Sequence, residues 1–175
     1  MTGQYSHAAI ASWVYDEEGD KSHLECVEFR EWKGGRAVNL KSQVEAYPGI
    51  IDVFRASSPQ YTMKYDCASG QIHRDAYYFN GKAITSCMRN MTGLPYGWHR
   101  ILWLFQFYVP FLRLFKKDSS FDDDAELIYP VCSTAVAHCF SKNFVDLIHL
   151  RSDNRSDPSD LSRSPILHYL FTLVP

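Results

Sequence analysis

Residues 127–140 read LIYPVCSTAVAHCF, and the change of pattern inside them organises the rest of the chain. An apolar lead-in from Leu127 to Val131 meets a run of small and apolar residues with helical character that continues through Phe140, with Ser133 or Thr134 available to cap its first turn. A thiol at that junction faces the positive end of the helix macrodipole, which favours the thiolate. Cys132 is therefore a candidate nucleophile, set against the alternative that it is a small buried apolar residue. His138 follows six residues later on the same helix, about 600° round the axis, and so points well away from it.

Upstream of this helix the chain reads as strands. His7 to Tyr15 is rich in small and β-favouring residues, Asp16 to Lys21 supplies a turn, and His23 to Trp32 alternates, with Val27 and Phe29 facing away from Cys26, Glu28 and Arg30. After Gly34 and Gly35 come Arg36 to Leu40 and, past the Tyr47-Pro48-Gly49 turn, Ile50 to Arg55. Four short strands in succession predict one small antiparallel sheet. From Ser69 to Met91 apolar residues recur at roughly helical spacing, interrupted at Asn80-Gly81 and stopped by Gly93 and Pro95, which predicts one broken helix or two short ones. Arg151 to Arg163 reads as an exposed polar loop, and Pro165 to Val174 as a final strand or buried segment. The expected class is α+β, a small antiparallel sheet packed on helices, with residues 1–175 forming a single domain.

Composition narrows the function. The 175 residues are 46% hydrophobic, 15% aromatic and 22% charged, a globular profile. Eighteen Lys and Arg against twenty Asp and Glu leave a formal charge of -2, so no general attraction to nucleic acid or anionic lipid is expected. Five cysteines, without a CxxC pair or a zinc-type cluster with His, argue against a structural metal. The opening residues carry no basic-then-apolar leader, so a cytoplasmic protein with reduced thiols is expected. The most apolar stretch, Trp98 to Phe115, is uncharged only between Arg100 and Arg113 and contains Pro110; a membrane span needs about 20 apolar residues, so this is not one. It reads as a buried helix, a greasy lip for an acyl chain, or a surface for a protein partner, and Asp118 to Asp124 beyond it as a solvated acidic loop.

A nucleophilic Cys needs a base within hydrogen-bond reach, itself oriented by a third polar group. Seven histidines compete for the role, and His7 stands out because Ala8 and Ala9 leave room beside it for a helix. Register decides the third residue. If Asp16 pairs with Lys21, His7 lies across from Arg30 and shares a face with Glu28; a slip of one residue brings Glu31 onto that face instead.

The chain resembles the NlpC-like branch of the papain-fold cysteine hydrolases in its circularly permuted form, the YiiX-like group, where the His strand precedes the Cys helix. Tyr5-Ser6-His7 and the strand after it look like the family's His strand, and Glu31-Trp32-Lys33-Gly34 like its acidic residue at the end of the next strand. Gly93-Leu94-Pro95-Tyr96 resembles the glycine-x-proline-tyrosine motif, Cys132-Ser133 with Val136 the Cys-Ser motif, and Asp157 to Leu161 with Ser164-Pro165 the C-terminal segment. The 35 residues between Tyr96 and Cys132 exceed the family's usual spacing, and Ala8 and Ala9 stand where Val or Gly is more usual. The resemblance implies a permuted papain-like fold, Cys132 as nucleophile and His7 as base, with Glu31 orienting it and Glu28 as the alternate. Tyr96 would line the cleft, unless it is a core aromatic, and neither metal nor cofactor would be required.

The activity implied is an amidase or endopeptidase forming an acyl-enzyme, in many relatives on cell-wall (peptidoglycan) peptides and in permuted members also on lipid or other acyl esters. Without a leader, access to the wall would come through lysis, secretion or carriage in a phage particle. The contrasting expectation is a non-enzymatic structural or virion tail-associated protein that keeps the fold and uses the aromatic segment 98–115 as a contact surface.

Overall fold

The computed structural model describes residues 4–57, 60–98, 130–148 and 156–174. The readings of 99–115, of the acidic loop 118–124 and of 151–155 lie outside the described residues. The remainder is α+β, built on small antiparallel sheets and short helices. Strands β1 (Ala9–Tyr15), β2 (Lys21–Arg30) and β3 (Gly34–Asn39) form one sheet in that order, followed by helix α1 (Leu40–Ala46). The β1–β2 register pairs Ala9 with Glu28 and Val14 with His23, which sets His7, two residues before the strand, level with Arg30. Asn39 caps α1 by accepting the Ser42 N–H, a helix absent from the sequence expectation.

Four expectations are corrected. The strand β4 (Ile51–Ala56) does not join the first sheet; it pairs with β7 (Leu167–Leu173), a non-local partner that no short-range pattern specifies. The first half of 69–91 is not helical but is β6 (Gln71–Tyr77), paired with β5 (Gln60–Asp66) in a hairpin. Ile72, Ala76 and Tyr77 mimic a helical period only because the count ignores the partner strand. Asn80 does not break a helix but starts one, α2 (Gly81–Asn90), by accepting the Ala83 N–H. The polar stretch near 157 is not all exposed loop: it holds the short helix α4 (Pro158–Ser162), capped by Asp157, with Ser159 and Leu161 buried.

The core lies between the first sheet and the helices. Val27 and Phe29 of β2 meet Ile84 and Met88 of α2 and the buried face of α3 (Cys132–Ser141). Every residue from Cys132 to Ala137 is buried, so α3 is a central helix enclosed on all sides of its first half. Among the described residues no helix is long and apolar enough to cross a membrane.

A backbone frame ties these parts together. The Gly35 N–H donates to the Leu94 carbonyl (2.9 Å), the Gly93 N–H to the Gly35 carbonyl (2.8 Å) and the Gly97 N–H to the Pro130 carbonyl (3.0 Å). The chain leaving α2 is thereby fixed to the start of β3 at one end and to the approach to α3 at the other. Gly34 adopts φ +67, and a Cβ there would collide with the Leu94 carbonyl. Gly34→Ala is therefore expected to cost about 1–3 kcal/mol in denaturant unfolding through backbone strain, more than Gly81→Ala, whose Cβ meets nothing. Equal effects at the two positions would contradict this account of the frame.

Candidate active site

Cys132 is the first residue of α3 and is 6% exposed. The residue before it, Val131, occupies the cap position without a side-chain acceptor. Thr134 compensates: its Oγ1 accepts the Val131 N–H (3.0 Å) and donates to the Val131 carbonyl (3.1 Å). Thr134 thus supports the helix start from inside, whereas Ser133 turns elsewhere and donates to the Ser156 carbonyl (2.7 Å).

The ring of His7 lies at the N-terminal end of this helix, close enough for the Cys132 side chain to act on its protonation through a hydrogen bond and through charge. On its other side, His7 Nε2 is 2.7 Å from Glu28 Oε2. Glu28 is 1% exposed, and its second oxygen, Oε1, accepts from Arg36 Nε (2.8 Å) and from the same guanidinium's terminal nitrogen. Arg36 also donates to Gln43 Oε1 of α1 (3.2 Å). The line Cys132, His7, Glu28, Arg36, Gln43 therefore runs from the central helix through the sheet to α1. Register explains it, since Glu28 pairs across β2–β3 with Arg36 and across β1–β2 with Ala9, whose small side chain leaves the carboxylate room.

Burial is the largest single influence on His7 and disfavours its charged form. The hydrogen bonds and charges of Cys132 and Glu28 together outweigh it and raise the His7 pKa to about 9. Burial likewise works against ionised Glu28, but His7 and Arg36 hold its carboxyl below the usual carboxylate value. At neutral pH this yields an imidazolium held between a sulfur and a carboxylate.

Of the two carboxylates expected to orient His7, Glu28 is the one that touches it; Glu31 is not. The reason is local: β2 ends at Arg30, and Glu31 falls in the tight turn where the Lys33 N–H donates to the Arg30 carbonyl (3.0 Å). The Tyr96 hydroxyl pKa is raised, by burial first and then by the charges of Cys132 and Glu31, so the ring is within electrostatic reach of both.

Sequence reasoning missed two groups. The first is an aromatic wall: Trp98 meets Tyr96 edge-on (centroids 5.3 Å) and Trp32 on its other side (4.7 Å). Trp32 is 85% exposed and adopts φ +64, a backbone conformation that bulky residues rarely take. The second is the α4 segment, which straps the site: Ser159 Oγ accepts the Tyr5 N–H (3.0 Å) while the Ser156 carbonyl holds Ser133. It fixes the segment that carries His7 into β1 to the helix bearing Cys132. The buried serines carry no sequence signal, whereas the Asp157-Pro158 pair is a helix-start signal that could have revealed α4.

Among the described residues no group of three or more His, Cys, Asp or Glu side chains converges as a metal site. No family model, curated protein or solved structure matches the chain.

The raised His7 pKa has a defined consequence for stability. A histidine whose pKa is higher folded than unfolded stabilises the fold fully below its ordinary value of about 6.5 and ceases to do so as pH rises through the folded value. Denaturant unfolding should therefore show stability lost as pH rises through about 9. His7→Gln should abolish that loss, Glu28→Gln should shrink it, and Glu31→Gln should leave it intact; a profile altered equally by both Glu substitutions would refute the pairing.

Proposed function

We propose that this chain is a cysteine hydrolase of the permuted, NlpC-like papain type that forms an acyl-enzyme on Cys132. The observation that carries the reading is the sulfur, imidazole and buried carboxylate in series, a constellation whose parts match the roles nucleophilic acyl transfer requires. The resemblance noted in the sequence supports amides of cell-wall peptides as the substrate class.

In the proposed mechanism the Cys132 thiolate, paired with the His7 imidazolium, attacks the substrate carbonyl carbon. Negative charge then develops on the carbonyl oxygen. N–H groups of the first turn of α3, which have no intrahelical acceptor, supply donors for it. His7 gives its proton to the leaving amine, the C–N bond breaks and the thioester remains. Water enters, His7 takes one of its protons, and attack on the thioester breaks the C–S bond, releases the acid and restores the thiolate–imidazolium pair. Glu28 keeps the imidazole oriented and its charged form stabilised throughout, and Arg36 keeps Glu28 ionised. Tyr96 is within electrostatic reach of the sulfur, and Trp98 and Trp32 extend its aromatic surface. That apolar wall also favours a second reading, in which the acyl group is hydrophobic and the bond cleaved is an ester.

The test compares thiols and substrates together. Burial pushes the Cys26 thiol up to about 12, making it a slow internal reference for alkylation. Iodoacetamide is expected to label Cys132 faster than Cys26 at neutral pH, and His7→Ala to slow that labelling about 10-fold or more. With peptidoglycan fragments and a panel of acyl esters, turnover should fall by about 10³-fold or more in Cys132→Ala and comparably in His7→Ala, because the two act as a unit. Turnover that survives Cys132→Ala, or labelling of Cys132 no faster than Cys26 and indifferent to His7→Ala, would overturn the proposal.

A further inference from the structure

A second pair of thiols lies away from Cys132. Cys87 is on α2, one residue before the fully buried Met88 and three after Ile84, so it sits at the rim of the face that α2 turns to the core. Cys139 is on α3 and is wholly buried. The two helices pack here: Cys87 lies against the cluster that contains Cys139, Phe79 and Phe140 meet alongside (centroids 6.3 Å), and the two thiols are near enough for each to act on the other's protonation. Both are free. Their settings are unequal: Cys87 is half-buried and within reach of solvent and of the Lys142 charge, while Cys139 is closed off from solvent.

We propose that Cys87 and Cys139 form an oxidisable dithiol, a modification site for hydroperoxides in which Cys87 reacts first and Cys139 resolves it into a disulfide joining α2 to α3. Reactive sensor thiols are accessible, electropositive in setting and poised beside a second thiol, and this pair has all three properties. The partnership with Cys139 favours the thiolate of Cys87 most, burial opposes it and Lys142 adds to it; the same partnership and burial hold Cys139 as the thiol.

The chemistry balances with the peroxide as sole oxidant. Cys87 sulfur attacks one peroxide oxygen, the S–O bond forms, the O–O bond breaks, and the second oxygen leaves as water after taking a proton. Cys139 then gives up its proton and attacks the Cys87 sulfur; the S–S bond forms, the S–O bond breaks and a second water departs. Two thiols are oxidised by two electrons, and the peroxide is reduced to two waters. The two sulfurs, carried on packed helices, have to close to the about 2 Å of a disulfide.

The test treats the folded, fully reduced chain with equimolar hydrogen peroxide, blocks remaining thiols by alkylation and maps peptides by mass spectrometry. The expected product has lost two hydrogens, carries a peptide linking Cys87 to Cys139, returns to starting mass with a dithiol reductant, and leaves Cys26 and Cys67 alkylated. Cys139→Ala should divert Cys87 to a sulfenic acid trapped by dimedone, while Cys87→Ser should leave Cys139 unoxidised; circular dichroism of each variant verifies folding. Retention of alkylatable Cys87 and Cys139 under these conditions, linkage of either to another cysteine, or oxidation of Cys139 in Cys87→Ser, would overturn the proposal. Because none of these readouts uses turnover, they stand or fall apart from the hydrolase reading.

Discussion

A carboxylate withdrawn from water between two cations is the constraint on which the site depends. Glu28 is buried in the middle strand of the first sheet, where an isolated negative charge would be costly. It remains ionised because Arg36 takes one oxygen and His7 the other. The compensation works in both directions. Arg36 and His7 allow Glu28 to stay charged, and Glu28 draws His7 to a fixed place beside the first turn of α3. Removing either cation would leave a buried charge partly uncompensated, which couples the site's electrostatics to the stability of the sheet.

Geometry around that carboxylate comes from backbone register and from straps made by small residues. Pairing of Ala9 and Arg36 with Glu28 brings a small side chain on one flank and a guanidinium on the other. The glycine-lined joint between β3 and the chain after α2 fixes the approach to Cys132 through Pro130. Ser159 and the Ser156 carbonyl join the segment bearing His7 to the Cys132 helix. Tyr5, Ser133, Ser156 and Ser159 touch no reacting atom, yet each limits the freedom of the two elements whose ends must meet.

Much of this was legible in the chain, unevenly. The alternation in His23 to Trp32 and the turn at Asp16 to Lys21 led to two registers, and one of them, with His7 level with Arg30, is the register observed. Choosing between Glu28 and Glu31 required knowing that β2 stops at Arg30, and motif spacing pointed to Glu31, which does not touch His7. Cys132 was readable as a helix start because an apolar lead-in gives way to small residues there, although its cap is Thr134 working inward and not a conventional cap residue. The β4–β7 pairing was not legible, since contacts between distant segments leave no periodic trace. The hairpin β5–β6 was misread because apolar residues four apart on an exposed strand imitate one face of a helix. Arg36 gave no signal at all: its role exists only through the cross-strand neighbour that folding gives it.

The His7 ring stands between the Cys132 sulfur and the Glu28 carboxylate. Nuclear magnetic resonance titration of the His7 ring, in the intact chain and in Cys132→Ala, measures this directly. The account predicts a midpoint near the raised value of about 9 in the intact chain and a clear fall on loss of the sulfur. A midpoint at an ordinary histidine value of about 6.5, unmoved by Cys132→Ala, would contradict it.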